Sequence, residues 1–235
     1  PDIIKRYFEH VYIMVKHMRM RRKPWARPEL AACGFFVDNP PENRGKWAEW
    51  FPKKQPLQLE LGCGKGGFMA QLALQNPNVN YLAVDIKSEV LAVGRRNIVK
   101  LFEENGRPVD NIALMSQDIE RIDQMLSPDD QIERIYINFC NPWPKAKHKK
   151  RRLTFPKQLN LYKTFLAKGG EIRFKTDDKA LFYDSLCYFG EAGFSVIFRT
   201  DDLHHSEVPD NIETEHEKMF TEMGKPIYYC IAVNR

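Results

Sequence analysis

From residue 57 onward the chain alternates strand and helix signals so regularly that few folds remain open. Apolar, β-branched runs near 57–61, 79–85, 111–115, 132–139, 170–175, 194–199 and 227–233 read as strands. Helical spacing of apolar residues falls between them, near 66–75, 87–104, 119–126, 155–167, 179–191 and 214–223. Parallel strands need crossover connections, and helices supply them. The pattern therefore predicts an α/β fold with a seven-stranded, mostly parallel sheet and helices on both faces. A long acidic segment, 200–222, sets the sixth strand apart from the seventh. With no internal repeat and no linker inside it, 57–235 reads as one domain.

The preceding 56 residues read as an arm. Ile3, Ile4, Tyr7, Phe8, Val11, Tyr12 and Val15 share one helical face, which predicts an amphipathic helix over 3–15. Six prolines and three tryptophans (Trp25, Trp47 and Trp50) follow between 24 and 56, the composition of an irregular segment that packs through aromatic rings. Charge is also divided along the chain. The net charge is +5, yet 16–27 carries +6 and 145–152 another +6, so the remainder carries −7. The mildly basic balance permits a nucleic-acid partner without demanding one, and two basic segments on an acidic body differ from a uniformly basic protein.

Apolar residues at 43% and charged residues at 29% exclude a disordered chain. Five widely spaced cysteines without a CxxC pair predict neither a disulfide framework nor a metal site. No apolar run approaches the ~18 residues of a membrane span. Charges at Lys5, Arg6 and Glu9 rule out a signal peptide at the start. A cytoplasmic protein without a membrane partner is the expectation.

Leu57-Gln-Leu-Glu60-Leu61-Gly62-Cys63-Gly64-Lys65-Gly66-Gly67 places a glycine turn directly after the first strand and before a helix, where backbone must bend tightly beside a ligand. Gly62, Gly64 and Gly67 also satisfy the dinucleotide spacing GxGxxG, so the loop alone indicates only a nucleoside-type cofactor. Three acids sharpen it. Glu60 adjoins the loop, Asp85 ends the second strand where a carboxylate reaches ribose hydroxyls, and Asp118 follows the third. S-adenosylmethionine suits this set better than NAD: it has no pyrophosphate, and Glu60 can meet its cationic end.

The fourth strand runs into Asn138-Phe-Cys140-Asn141-Pro142-Trp143-Pro144-Lys145, whose prolines fix side chains at the carboxyl edge of the sheet. The basic run 145–152 begins there, beside the expected reaction site, so it reads as a grip on substrate phosphates.

Taken together, Glu60-Leu-Gly-Cys-Gly-Lys-Gly, Asn138-Phe-Cys-Asn-Pro-Trp-Pro-Lys, His148-Lys-Lys-Arg-Arg-Leu-Thr154, Phe174-Lys-Thr-Asp177, Asp202-Leu-His204 and Thr214-Glu-His-Glu217 resemble bacterial tRNA (guanine-N7-)-methyltransferases over roughly 18–235. The resemblance implies a Rossmann-like class I methyltransferase acting on guanosine 46 in the variable loop of tRNA. It further implies that Glu60, Gly62, Gly64, Asp85, Asp118 and Asn141 bind S-adenosylmethionine. Lys145, Asp177, Thr214 and Glu217 would contact the substrate, and Lys147, His148, Lys149, Lys150, Arg151 and Arg152 the RNA. The family usually has aspartate where this chain has Asn141, the position regarded as catalytic, so a lowered rate is expected here. The resemblance names no obligate protein partner, which leaves monomer or homodimer.

Guanine N7 carries a lone pair, so its methylation needs no general base; it needs in-line placement and carboxylates near the cation that forms. Three other readings compete. Asn141-Pro-Trp-Pro is superficially similar to the Asn-Pro-Pro-aromatic motif of amino-methyltransferases. Loss of the aspartate suits a tRNA-binding relic. The glycine spacing alone suits an NAD oxidoreductase.

Overall fold

The sequence Leu57-Gln58-Leu59-Glu60-Leu61 explains the centre of the fold. Alternation sends the three leucines to one face of strand β2 (Leu57–Leu61), leaving Gln58 and Glu60 on the other. All five residues are buried, because both faces of this strand are covered. The computed structural model describes residues 23–208 and 210–235. The helix expected over 3–15, and residues 16–22 of the first basic segment, lie outside the described residues.

Around β2 stand β3 (Asn80–Asp85), β4 (Ile112–Ser116), β5 (Ile132–Asn138), β6 (Leu166–Thr176), β7 (Phe194–Thr200) and β8 (Tyr228–Asn234). A further strand, β1 (Phe36–Val37), comes from the arm, and the sheet order is β1-β4-β3-β2-β5-β6-β8-β7. β8 runs antiparallel between β6 and β7; every other pairing is parallel. The order reverses direction at β2, between β3 and β5. Open α/β sheets bind ligands outside the carboxyl ends of their strands at such a switch point.

The sheet thus has eight strands among the described residues, not the expected seven. β1 pairs Phe36 with Leu114 and Val37 with Met115. Two residues among prolines are too few to show a period, which is why the sequence concealed it. Two helix expectations also shorten. Over 119–126 the chain forms a 3₁₀ segment, Ile119–Gln124, broken by non-helical dihedrals at Arg121. The helix expected over 155–167 is α5 (Pro156–Tyr162), and Leu166 already belongs to β6.

Two apolar layers hold the sheet. Leu57, Leu59 and Leu61 pack on the side of α5 and α6 (Lys179–Glu191) with Leu159, Tyr162, Leu181 and Phe182. The opposite layer joins Tyr81 and Tyr136 to α3 (Gly67–Gln75) and α4 (Ser88–Glu104) through Met69, Leu72, Leu91 and Phe102. Burying each large apolar side chain contributes roughly 1.5–3 kcal/mol before chain entropy is counted.

The arm is stapled to this body. Trp47, in the short α2 (Trp47–Trp50), is fully buried and donates its indole N–H to the carbonyl of Met125 at 2.7 Å. α1 (Ala26–Ala31) lies on α4, where Glu29 pairs with Arg95 at 3.3 Å and Arg96 at 2.5 Å. The Arg96 guanidinium also sits 4.1 Å from the centre of the Trp25 ring. No helix among the described residues is long and apolar enough to cross a membrane.

Candidate functional site

The glycine loop sits at the switch point and is fixed from three sides. Its first two amides, Gly62 and Cys63, donate to the carbonyl of Val84 at 2.8 and 3.0 Å, tying the loop to the end of β3. The Asp85 carboxylate then accepts from the amides of Gly64 (3.1 Å) and Lys87 (2.9 Å). Burial raises the pKa of Asp85, and these two amide donors oppose the rise. On the third side stands α4. A Cβ on Gly94 would lie 3.1 Å from the Lys65 carbonyl carbon and 3.2 Å from the Gly64 oxygen, so glycine is what lets the helix touch the loop. Asn97, one turn on, donates to the Lys65 carbonyl at 3.0 Å.

Behind the loop opens a cavity of about 240 Å³ lined by Glu60, Gly62, Gly64, Phe139, Thr214 and His216, among others. Glu60 is its chemical focus. The side chain is 2% exposed; Asn138 donates to Oε1 at 3.1 Å, and Oε2 is buried without a partner. Burial pushes its pKa up to about 7; the Asn138 hydrogen bond opposes this, the Asp85 charge adds to it and the Lys175 ammonium opposes it. A buried carboxylate oxygen without a donor costs free energy that a cationic ligand can recover. Across the cavity the His216 imidazole stacks on Phe139, with ring centres 5.6 Å apart and planes 18° from parallel. Desolvation lowers the His216 pKa, opposed by Glu215 and Asp177.

The turn after β5 is strained and clamped. Phe139 (φ 51°) and Trp143 (φ 42°) both occupy the left-handed region, a conformation in which non-glycine residues are held by their surroundings. Asn141 Oδ1 accepts from the Trp143 amide at 3.2 Å, which closes the turn locally. The Arg152 guanidinium locks it from below, donating to the Pro142 carbonyl at 2.7 Å and to Asp184 at 2.5 Å. Arg152 is 1% exposed, with Nε and Nη1 turned to Pro142 and Asp184, so it stands beneath the turn instead of at the surface where RNA binding was expected of it. Lys149 also pairs with Asp184, at 2.7 Å. Together, Lys149 first, these cations hold Asp184 below the usual carboxylate range. Lys145, Lys147, Lys150 and Arg151 are exposed, with Arg151 over the Trp143 ring at 5.2 Å.

The wall opposite the loop is the 211–217 segment leading into α7 (Glu215–Glu222). Thr214 and Glu217 form a capping box at its start, with the Glu217 amide donating to Thr214 Oγ1 at 3.0 Å. Glu217 is fully buried, and its carboxylate accepts from Asn211 (2.9 Å), Lys175 (3.0 Å) and the Thr214 amide (3.3 Å). In this arrangement the Glu217 carboxylate builds the wall. At the rim, Lys65 reaches Glu215 at 3.4 Å, both exposed.

Of the residues singled out from sequence, Glu60, Gly62, Gly64 and Thr214 share the cavity. Asp85 lies under the loop, and Asp118 caps the 3₁₀ segment after β4 by accepting from the Glu120 amide at 3.0 Å. Asn141 and Lys145 lie on the neighbouring turn, and Asp177 follows β6. Phe139, His216, Asn138, Asn97 and Gly94 also shape the site, although none of them is assigned a role from sequence. Gly94 did leave a signal, as a lone glycine inside a helical pattern. A separate polar cavity of about 270 Å³ lies on the sheet face, but its Arg134 and Arg173 are paired to Glu171 at 3.0 and 3.2 Å. None of the unpartnered buried polar atoms among the described residues lines it.

Solved structures share this architecture. A 16S rRNA methyltransferase, KamB, superimposes with a TM-score of 0.55 over 77% of this chain and 88% of its own, at 13% identity. The aminoglycoside resistance methyltransferase NpmB1 gives 0.52 over 77% and 87%, also at 13% identity. At such identity the likeness concerns the fold. A family described as "Putative methyltransferase" matches residues 54–230, which sets the class as methyltransferase. More particularly, the chain belongs to the tRNA (guanine-N(7)-)-methyltransferase family. Members so named from Clostridium beijerinckii and Ruminiclostridium cellulolyticum are 60% and 59% identical over 92% of this chain, covering 99% and 92% of their own lengths. One from Acetivibrio thermocellus is 55% identical over 92% of this chain and 99% of its own.

Proposed function

We propose that this protein transfers the methyl group of S-adenosylmethionine to N7 of guanine in tRNA, at position 46 of the variable loop. The observation that carries the reading is Glu60: a buried carboxylate with one oxygen unpartnered, beside a glycine loop at the switch point. A cationic donor answers that vacancy, whereas a dinucleotide pyrophosphate would meet it with like charge. The homologues named above carry the matching activity in their names.

Bound donor supplies a methyl group on a positively charged sulfur. The protein's own part is placement and charge. Glu60, beside the loop, meets the donor's cationic amino-acid end, and Asp85 and Asp118 stand at successive strand ends for its nucleoside. N7 offers its lone pair without deprotonation, so no side chain has to remove a proton before transfer. Asp177, whose charge reaches His216 and Cys140, supplies negative potential where the purine becomes cationic. Lys145, Lys147, Lys150 and Arg151 present charge to the RNA backbone from the turn that borders the site.

Asn141 Oδ1 accepts from the Trp143 amide, and the homologues named above favour guanine N7 over an amino group as the target. Aspartate would close the same turn and add a charge, so Asn141→Asp should raise kcat several-fold at unchanged fold. The deciding experiment incubates the protein with labelled S-adenosylmethionine and unmodified tRNA, then cleaves the product with borohydride and aniline. Scission at guanosine 46 is expected. Label on adenine, or donor binding with no transfer even by Asn141→Asp, would overturn the reading.

A further inference from the structure

Lys175 projects from β6 into the space between the sheet and the 211–217 wall, and its side chain is 6% exposed. An ammonium has three donors, and here each meets an acceptor: Asn211 Oδ1 at 2.5 Å, the Ile212 carbonyl at 3.0 Å and Glu217 Oε2 at 3.0 Å. All three acceptors belong to the segment that carries Thr214, Glu215 and His216 to the cavity. The same strand register sets Lys175 opposite Asn138, the residue that donates to Glu60. Lys175, Asn211 and Ile212 line the neighbouring polar cavity, so this buried cation stands behind the donor cavity, next to Asn138, which lines both.

We propose that Lys175 is a positioning residue of the donor pocket: it fastens the 211–217 wall to β6 and holds positive charge against the Glu60 carboxylate. The proposal rests on the donor reading given above. The charged and titratable groups facing Glu60 are Asp85 from β3, Lys175 from β6 and the buried Cys63 thiol from the loop, with Lys65, Glu215 and His216 around the same cavity. Among them, Asp85 favours the protonated form of Glu60 and Lys175 the ionised form. Burial lowers the pKa of Lys175 itself, and the Glu217 charge and hydrogen bond oppose that. Glu217 thus keeps Lys175 charged while absorbing part of its field, and the pair sets how readily Glu60 ionises for a cation.

The test titrates S-adenosylmethionine calorimetrically into the full chain between pH 5.5 and 8.5. Wild-type affinity should fall on the acid side of about pH 7 as Glu60 takes up a proton. In Lys175→Met that acid limb should move up by about one pH unit, weakening binding about fivefold at pH 7 and about tenfold at pH 6. Most of the loss should be recovered at pH 8.5. Lys175→Arg keeps the positive charge, so its acid limb should stay where it lies in the wild type. A loss by the same factor at every pH would make Lys175 merely architectural and overturn the proposal, as would superimposable curves. If circular dichroism shows Lys175→Met unfolded, Lys175→Gln takes its place in the same titration, and an acid limb left at its wild-type position would overturn the proposal. A wild-type protein that binds no donor at any pH would instead overturn the donor reading.

Discussion

The floor and the wall of the cavity each contain a buried glutamate, and they are treated oppositely. Glu60, at the end of β2, is 2% exposed with a single donor and a bare oxygen. Glu217, at the start of α7, is fully buried with three donors, one of them an ammonium. Burial is the same; satisfaction is not. A saturated carboxylate holds a structure together, whereas a starved one is held in place by the rest of the fold at a cost to stability. The comparison teaches that in this site the residue to assign to a ligand is the one the protein has left wanting.

The largest effect should come from breaking the saturated partner. Glu217→Ala leaves the Lys175 ammonium buried without its counter-charge, which should lower stability by about 3–5 kcal/mol, measured by urea unfolding at pH 7. The starved partner should respond with the opposite sign. An acid whose folded pKa lies near 7, above its unfolded value of 4.5, makes the folded state bind more protons across that window, so stability falls as pH rises through it. Glu60→Gln removes this penalty. It should stabilise the protein by roughly 3 kcal/mol at pH 8 and hardly at all at pH 4, while donor binding is lost by more than about 100-fold.

The basic turn offers a second pair of contrasting neighbours. Arg152→Met should cost about 2 kcal/mol of stability, because a buried charge-assisted hydrogen-bond set is removed. Arg151→Gln should change stability by less than about 0.5 kcal/mol and instead reduce the salt slope of tRNA binding by about 0.7–0.9. The smallest effect sharpens the loop's role. Gly94→Ala gains about 1 kcal/mol of helix propensity and loses a similar amount where its Cβ presses on the loop backbone. Net stability should hardly move, while donor affinity measured by titration falls several-fold.

Much of this was legible in the chain. Strand alternation and the glycine turn are local signals, and Glu60 could be picked out because it stands next to both. What the sequence withheld was partnership. Arg152 and Arg151 are adjacent identical letters, and only the packing of α6 against the turn makes one a clamp and the other a surface cation. The pairing of Glu217 with Lys175 is hidden because the two stand 42 positions apart. Phe139 and Trp143 adopt dihedrals that their residue types disfavour, so nothing in their identity announces the turn they make. β1 is too short to have a period at all.

One turn of α4 does two mechanical jobs on opposite sides. Gly94 and Asn97 seat the glycine loop, and between them Arg95 and Arg96 clasp Glu29 and Trp25 of the arm. A rigid helix cannot slide for one neighbour and stay still for the other. Advancing it by a single residue, about 1.5 Å, would break both sets of contacts together. Any displacement of the described part of the arm is thus coupled through four consecutive residues to the backbone of the glycine loop, as a lever couples its two ends across a fulcrum.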